Sequence, residues 1–336
     1  MLKDCINVGI IGCGKIAQVR HIPEYFANES ATIVGYYDFI EERAQDMARQ
    51  YGGRSFSSAQ ELLECPEIDA VSICTANNAH AEMTVAALRA GKHVLCEKPM
   101  AMSMEECESM VKEAERVGKK LMIGHNQRFM TEHIRAKQML DDGVIGRVLT
   151  FKTCFGHSGP DYWSVDPGTA NWFFDKSKSV FGALADLGIH KTDLIQYLLD
   201  SEVDEIKSMI STLDKTYSDG TPVNVEDNAI CLYKMKNGVI GSMTASWTYY
   251  GEEDNSTVIY GTEGIMKIHG ESHCIEIFRK NGEKVTYETT LQNNSGVIDH
   301  FINCLVNNVE SQISAEKILS SMSVMLRSIA ASGKPV

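Results

Sequence analysis

Lys98 stands just past the apolar run HVLC (93–96), in the turn Glu97-Lys98-Pro99. A carboxylate, an ammonium and a proline where a buried strand stops read in two ways. One is a solvated turn. The other is a lysine aimed into a cleft, placed to polarise a hydroxyl or move a proton. A second polar cluster interrupts the apolar stretch ALADLGIHKTDLIQYLL (183–199). Asp186 and His190 are four apart, so on a helix they share a face, with Asp193 three further on. Histidine titrates near neutrality and suits a general base. The alternatives are a core histidine with satisfied bonds, or a metal pair. No third ligand at persuasive spacing accompanies the pair, so no metal is expected.

The third group is Gly12-Cys13-Gly14-Lys15-Ile16-Ala17, a GxGxxA pattern between a strand candidate and a helix candidate. Gly12 permits the tight turn. Gly14 lets backbone approach a pyrophosphate, and Ala17 keeps the helix close to the strand. The helix N-terminus favours the anion. The next strand candidate ends in Asp38, 21 residues past Ala17. An acid there accepts hydrogen bonds from ribose hydroxyls and repels a 2′-phosphate. Phe39 and Ile40 supply no cation in its place. NAD is therefore expected over NADP. The competing reading makes Asp38 only the start of the next helix.

These groups need elements to hold them. Strand-like runs at 5–11, 32–37, 69–74, 93–96 and 120–124 alternate with helical patterns at 41–52, 78–91 and 103–118. Ser103 with Glu106 forms a capping box. Cys107, Met110, Val111, Ala114 and Val117 make one apolar stripe, and Gly91 and Gly118 sit where helices end. Such alternation predicts a parallel sheet with helices on both faces. After residue 125 the pattern changes. A helix at 129–142, a strand at 146–156, a helix at 183–199, strands over 204–288 and helices in the last forty residues predict an α+β domain. Its sheet is expected to be open and mainly antiparallel. The expected domains are 1–124, which binds NAD in a Rossmann fold, and 125–336, which binds substrate and oligomerises.

The segment FGHSGPDYWSVDPGTANWFF (155–174) carries His157, Tyr162, Trp163, Asn171 and Trp172. Aromatic rings with hydrogen-bonding groups suit a sugar or polyol. A packed surface loop is the alternative.

With 336 residues the chain has room for two domains. A net charge of −13 disfavours nucleic acid as a partner. No apolar run approaches membrane-spanning length, and the N-terminus enters the glycine turn with no room for a secretory signal. The ten cysteines are scattered without a CxxC pair. Cys13, Cys74 and Cys96 lie in or beside apolar runs, as small buried hydrophobes in a reducing, cytoplasmic setting.

Four motifs follow in order: GxGxxA, GKHVLCEKP (91–99), IGHNQRF (123–129) and DLGIHKTDL (186–194). VEDNA (225–229), SW (246–247) and GTEG (261–264) follow them. Together they resemble the glucose-fructose oxidoreductase, inositol dehydrogenase and MocA-like family over nearly the whole chain. The resemblance implies a dinucleotide-binding domain followed by an open sheet that often forms subunit contacts. It implies a catalytic trio of Lys98, Asp186 and His190. For the cofactor it implies Gly12, Cys13, Gly14, Lys15, Ile16, Asp38, Thr75, Ala76, Asn77, His80, Glu97, Lys98 and Arg128. For substrate it adds Lys98, Asp186 and His190 to His157, Trp163, Asn171 and Trp172. Glu97 holds the lysine, holds the cofactor amide, or is structural.

Two departures stand out. The family often has TPN where this chain has Thr75-Ala76-Asn77, and GGG where it has Val180-Phe181-Gly182. The expected reaction is reversible oxidation of a secondary alcohol of a sugar, polyol or inositol-like substrate. Either His190 or Lys98 takes the hydroxyl proton. Two rival readings are an NAD-dependent glycosidase or lyase on the same scaffold, and a non-catalytic NAD-bound sensor.

Overall fold

The computed structural model describes residues 5–269 and 273–333. The chain divides into two compact units. The first comprises Met1–His125, Ser177–Val180 and Asn294–Leu319, and the second comprises Asn126–Lys176, Phe181–Asn293 and Ser320–Val336.

The first unit is built on six parallel strands: β1 (Ile6–Ile11), β2 (Ala31–Tyr37), β3 (Arg54–Ser55), β4 (Ala70–Ile73), β5 (His93–Cys96) and β6 (Leu121–Ile123). Their order is β3-β2-β1-β4-β5-β6. Val8, Ile10, Ile11, Val71, Ile73, Val94 and Leu95 are all buried, as a sheet covered on both faces requires. The order reverses between β1 and β4, the switch point beside which such sheets bind ligands. The helix Met104–Val117 begins as the capping box predicts. Ser103 Oγ accepts from Glu106 N at 3.2 Å, and the Glu106 carboxylate accepts from Met102 N at 2.9 Å. Gly118 ends it at φ 64°.

Around the first sheet, two elements escaped the sequence reading. β3 has two residues, both exposed, so it carries no apolar run. The six-residue helix Ala59–Glu64 is too short to show a period, although Ser58 caps it by accepting from Glu61 N.

The second unit carries eight strands: β7 (Val148–Gly156), β8 (Val203–Ser211), β9 (Asn228–Met235), β10 (Ile240–Ser246), β11 (Ser256–Gly261), β12 (Gly264–His269), β13 (Cys274–Arg279) and β14 (Lys284–Glu288). They lie in the order β14-β13-β12-β11-β7-β10-β9-β8. β7 and β10 pair in parallel, and every other neighbouring pair is antiparallel. The expected open, mainly antiparallel sheet is therefore present.

The expected continuous helix over 183–199 opens instead as a π-helical turn, Leu184–Gly188, before the α-helix Ile189–Leu199. A Cβ on Gly188 would stand 3.2 Å from Met243 Cε and 3.3 Å from Ala245 Cβ. Glycine there lets the helix lie directly on β10. Among the described residues, no helix is long and apolar enough to cross a membrane.

Candidate active site

Because the first sheet is parallel, β1, β2, β4 and β5 end on one edge. The Gly12–Ala17 turn, Asp38, Thr75-Ala76-Asn77 and Glu97-Lys98 all leave the sheet there. Gly12 takes φ 92°, and a Cβ on it would stand 2.6 Å from the Cys74 carbonyl. Only glycine fits that approach. A Cβ on Gly14 would meet nothing within 4 Å. That open space, beside the start of the first helix, leaves room for a pyrophosphate. Lys15 and Ile16 complete the turn into a π-helical segment, Ala17–His21, which continues as the helix Ile22–Ala27.

Asp38 anchors the neighbouring backbone. Its carboxylate accepts from Cys13 N at 2.6 Å and from Ile40 N at 2.8 Å. Each carboxylate oxygen keeps a second lone pair, which fits the ribose hydroxyls. That space and this acid together fit NAD.

Ala76 adopts φ −67° and ψ 154°, the backbone a proline would take at that place. The replacement of TPN by Thr75-Ala76-Asn77 therefore leaves the turn's conformation in place. Thr75 Oγ1 donates to Ala76 O at 3.2 Å, and Asn77 Nδ2 donates to Ser179 O at 3.0 Å. His80 is buried, with Nδ1 2.8 Å from Pro99 O and Nε2 3.2 Å from Thr75 O. Burial lowers its pKa, against the pull of those carbonyls.

The Lys98–Pro99 peptide bond is cis. Glu97, 5% exposed, sets one oxygen 2.9 Å from His21 Nε2 and accepts from Lys98 N–H at 3.1 Å with the other. Burial alone would raise its pKa. The His21 bond, Arg20 and Lys98 outweigh that and hold it down to about 2. His21 carried no motif signal beyond being a polar residue in an apolar helix, and the sequence reading passed over it.

In the second unit, Asp186 and His190 are both nearly buried. Trp247 Nε1 donates to Asp186 Oδ2 at 3.0 Å. The Phe155 ring lies 6.0 Å from the His190 ring and 5.9 Å from the His157 ring. Trp247 also meets Phe173 and Phe174 edge-on. The 155–174 segment is thus joined to both residues through rings. His157 Nδ1 accepts from Gly159 N at 2.9 Å. Trp163 packs edge-on against Phe173, and Trp172 stacks on it at 3.9 Å. Asn171 is spent inside the segment: Nδ2 donates to Gly168 O and Oδ1 accepts from Phe173 N. Arg128 lies in the second unit, in a bidentate pair with Asp193, both bonds 2.7 Å. Ser321 Oγ also donates to Asp193.

The VEDNA motif acquires a reason here. Glu226 Oε1 accepts from Gly182 N at 2.7 Å and Leu184 N at 3.3 Å, capping the turn that carries Asp186. A Cβ on Gly182 would overlap Glu226 O at 1.8 Å. Asp227 accepts from the N–H groups of Leu213, Asp214 and Lys215. Among the described residues, no group of three or more His, Cys, Asp or Glu side chains is arranged to hold a metal.

Comparison with known proteins agrees with this arrangement. Residues 6–125 match the GFO/IDH/MocA oxidoreductase family with its NAD-binding Rossmann fold, and residues 133–267 match the GFO/IDH/MocA C-terminal domain. The chain is 32% identical to a levoglucosan dehydrogenase of Pseudarthrobacter phenanthrenivorans, over 79% of this chain and 74% of that one. It is 30% identical to a glucose-6-phosphate 3-dehydrogenase of Bacillus subtilis, over 81% and 77% of the two chains. The solved aldose-aldose oxidoreductase of Caulobacter crescentus, complexed with glycerol, superposes with a TM-score of 0.86 at 25% identity, covering 98% of each chain. The chain belongs to the GFO/IDH/MocA family of NAD-binding oxidoreductases.

Proposed function

We propose that this protein oxidises a secondary alcohol of a sugar or polyol to a ketone, reversibly, with Lys98, Asp186 and His190 carrying the proton chemistry. The observation that carries the reading is the position of Lys98. It leaves the sheet on the edge that also bears the glycine turn and Asp38. The relatives named levoglucosan dehydrogenase and glucose-6-phosphate 3-dehydrogenase support a sugar hydroxyl as the reacting group.

NAD, when bound, supplies the acceptor for the hydride that leaves the alcohol carbon. Gly12, Gly14 and Asp38 hold it, and the Asp38 carboxylate rejects a 2′-phosphate. Lys98 hydrogen-bonds the substrate hydroxyl and polarises it. His190 takes the hydroxyl proton, imidazole being the side chain most often used as a general base. Asp186, fixed by Trp247, orients the imidazole or the sugar. His157, Trp163 and Trp172 offer ring faces and one imidazole to the sugar.

A panel of levoglucosan, glucose 6-phosphate and myo-inositol with NAD, read at 340 nm and for glycoside cleavage, tests the proposal. NADH accumulating in step with a keto sugar is the expected result. Cleavage without net NADH would instead identify a glycosidase or lyase that recycles its cofactor. Dissociation constants test the cofactor assignment, with NAD expected to bind tighter than NADP.

We also propose that the protein self-associates through its second sheet. Along β9, Ala229, Cys231, Tyr233 and Met235 are buried while the alternate Ile230 and Leu232 are more than half exposed. Met209 pairs with Ile230 in register and is 79% exposed. An apolar stripe of that kind on a sheet face fits a second copy.

A further inference from the structure

A chain of four buried side chains ends at the residue before Lys98. Tyr25 O–H reaches Ser72 Oγ at 2.8 Å, and Ser72 Oγ lies 3.1 Å from His21 Nδ1. His21 Nε2 lies 2.9 Å from Glu97 Oε1. Tyr25, Ser72 and His21 are fully buried. The first helix, β4 and the exit of β5 each contribute to it. The partners assign the tautomer. Glu97 is ionised, so His21 donates to it from Nε2. His21 Nδ1 then accepts from Ser72, whose oxygen accepts from Tyr25. Burial pushes the Tyr25 hydroxyl pKa upward, so it stays a donor. Every donor in the chain points toward the carboxylate.

That carboxylate also accepts from the Lys98 N–H at 3.1 Å and has the Arg20 guanidinium 4.0 Å away. The backbone makes room for it: a Cβ on Gly124 would stand 2.9 Å from Glu97 Oε1. Beyond the lysine, His80 Nδ1 lies 2.8 Å from Pro99 O. Buried histidines thus fix the peptide on both sides of Lys98, one of them through Glu97. A buried charge supported this way is costly to keep, and an apolar filler would pack as well. Its distinctive effect is to fix where Lys98 starts.

We propose that His21 is a positioning residue for the reaction, orienting Glu97 and through it the Lys98 peptide, so that the ammonium is presented to the substrate hydroxyl. The inference rests on the reading of Lys98 as a catalytic residue. Without His21 the buried carboxylate keeps the Lys98 N–H and the more distant Arg20 but loses its buried imidazole donor, and its pKa rises. Lys98 then loses both an anchor and a neighbouring negative charge.

The test compares wild type, His21→Gln and Lys98→Met. Turnover is measured on whichever of levoglucosan, glucose 6-phosphate and myo-inositol the wild type oxidises fastest. Acetic anhydride labelling of Lys98 against pH, read by mass spectrometry, provides a second measurement that needs no substrate. His21→Gln is expected to lose about 10- to 100-fold in kcat, the scale of a misplaced reacting group. Its dissociation constant for NAD is expected to stay within about threefold, and its Lys98 labelling profile to move to lower pH. Wild-type kcat with an unmoved labelling profile would overturn the inference. Were Lys98→Met also active, the reading of Lys98 would fall with it. An inactive Lys98→Met beside an active His21→Gln would remove only the inference. Should His21→Gln not fold, Ser72→Ala, which removes the bonds to Tyr25 and to His21 Nδ1 and leaves the His21–Glu97 bond, is expected to lose about three- to tenfold in kcat. Unchanged kcat and labelling in that variant would overturn the inference equally.

Discussion

Removing a single ammonium separates the two readings of the Glu97-Lys98-Pro99 turn. Lys98→Met keeps the apolar stem and deletes the charge and its donors. Loss of one positioned proton-transfer group lowers kcat by about 10²–10⁴, whereas a solvated lysine leaves the rate alone. Steady-state kinetics on the best panel sugar checks this, and a rate within about threefold of wild type would remove Lys98 from the chemistry. A lysine on the Ile189–Leu199 helix lies in a different setting. Lys191 is fully buried, its Nζ 3.2 Å from Asn255 O and 5.9 Å from the centre of the Phe155 ring. Burial drives its pKa down to about 7, against partial support from Cys154, Asp254, Glu132 and Glu253. In the unfolded chain the same group titrates near about 10.4. Below pH 7 both states carry the proton, and the folded protein bears the full cost of burying it. Between those two values the unfolded state binds more protons, so stability rises with pH. Lys191→Met is expected to raise stability at pH 7 by about 1–3 kcal/mol and to flatten that rise. Urea melts from pH 6 to 10 measure it, and a parallel pH dependence in the variant would show that Lys191 is not its source.

The elements that hold these residues store some strain. Val180, the first residue of the segment that replaces three glycines, sits at φ 64°. A β-branched residue there costs about 1–2 kcal/mol that glycine avoids. Val180→Gly is therefore expected to leave stability unchanged or raise it by up to about 1 kcal/mol, despite the added backbone entropy. A lowered melting temperature would count against the strain. Ala76→Pro is expected to add about 0.4–1 kcal/mol, because the native backbone already suits proline. Much of this level was legible beforehand. The parallel strands announced themselves as continuous apolar runs, and Ser103, Gly91 and Gly118 marked helix ends through local backbone chemistry. The π-helical turns at Ala17–His21 and Leu184–Gly188 were not legible, because an inserted residue leaves an apolar helical period almost unchanged. The partners of Glu226, His21 and Trp247 were hidden for a related reason. Each acts on a partner 40 or more residues away in sequence, and spacing cannot reveal such a pairing.

At the scale of the whole molecule, the exposed stripe on the second sheet predicts a dimer or tetramer. Sedimentation at micromolar concentration checks it, and Ile230→Lys is expected to shift the protein toward monomer while its fold is kept. A wild-type monomer would contradict the self-association. Residues of one strand face opposite sides of a sheet, and β9 is apolar on both. The identity of the sugar was not readable: in the proposed site, rings of the 155–174 segment, Trp247 and His190 come together from parts of the chain far apart in sequence. The central claim is net hydride transfer from a sugar hydroxyl to NAD. Its most direct test is one stoichiometry: NADH formed against keto sugar formed, with NAD and the panel of levoglucosan, glucose 6-phosphate and myo-inositol. One NADH per keto sugar, abolished in Lys98→Met, is the predicted result. Sugar converted with no accumulation of NADH would contradict it.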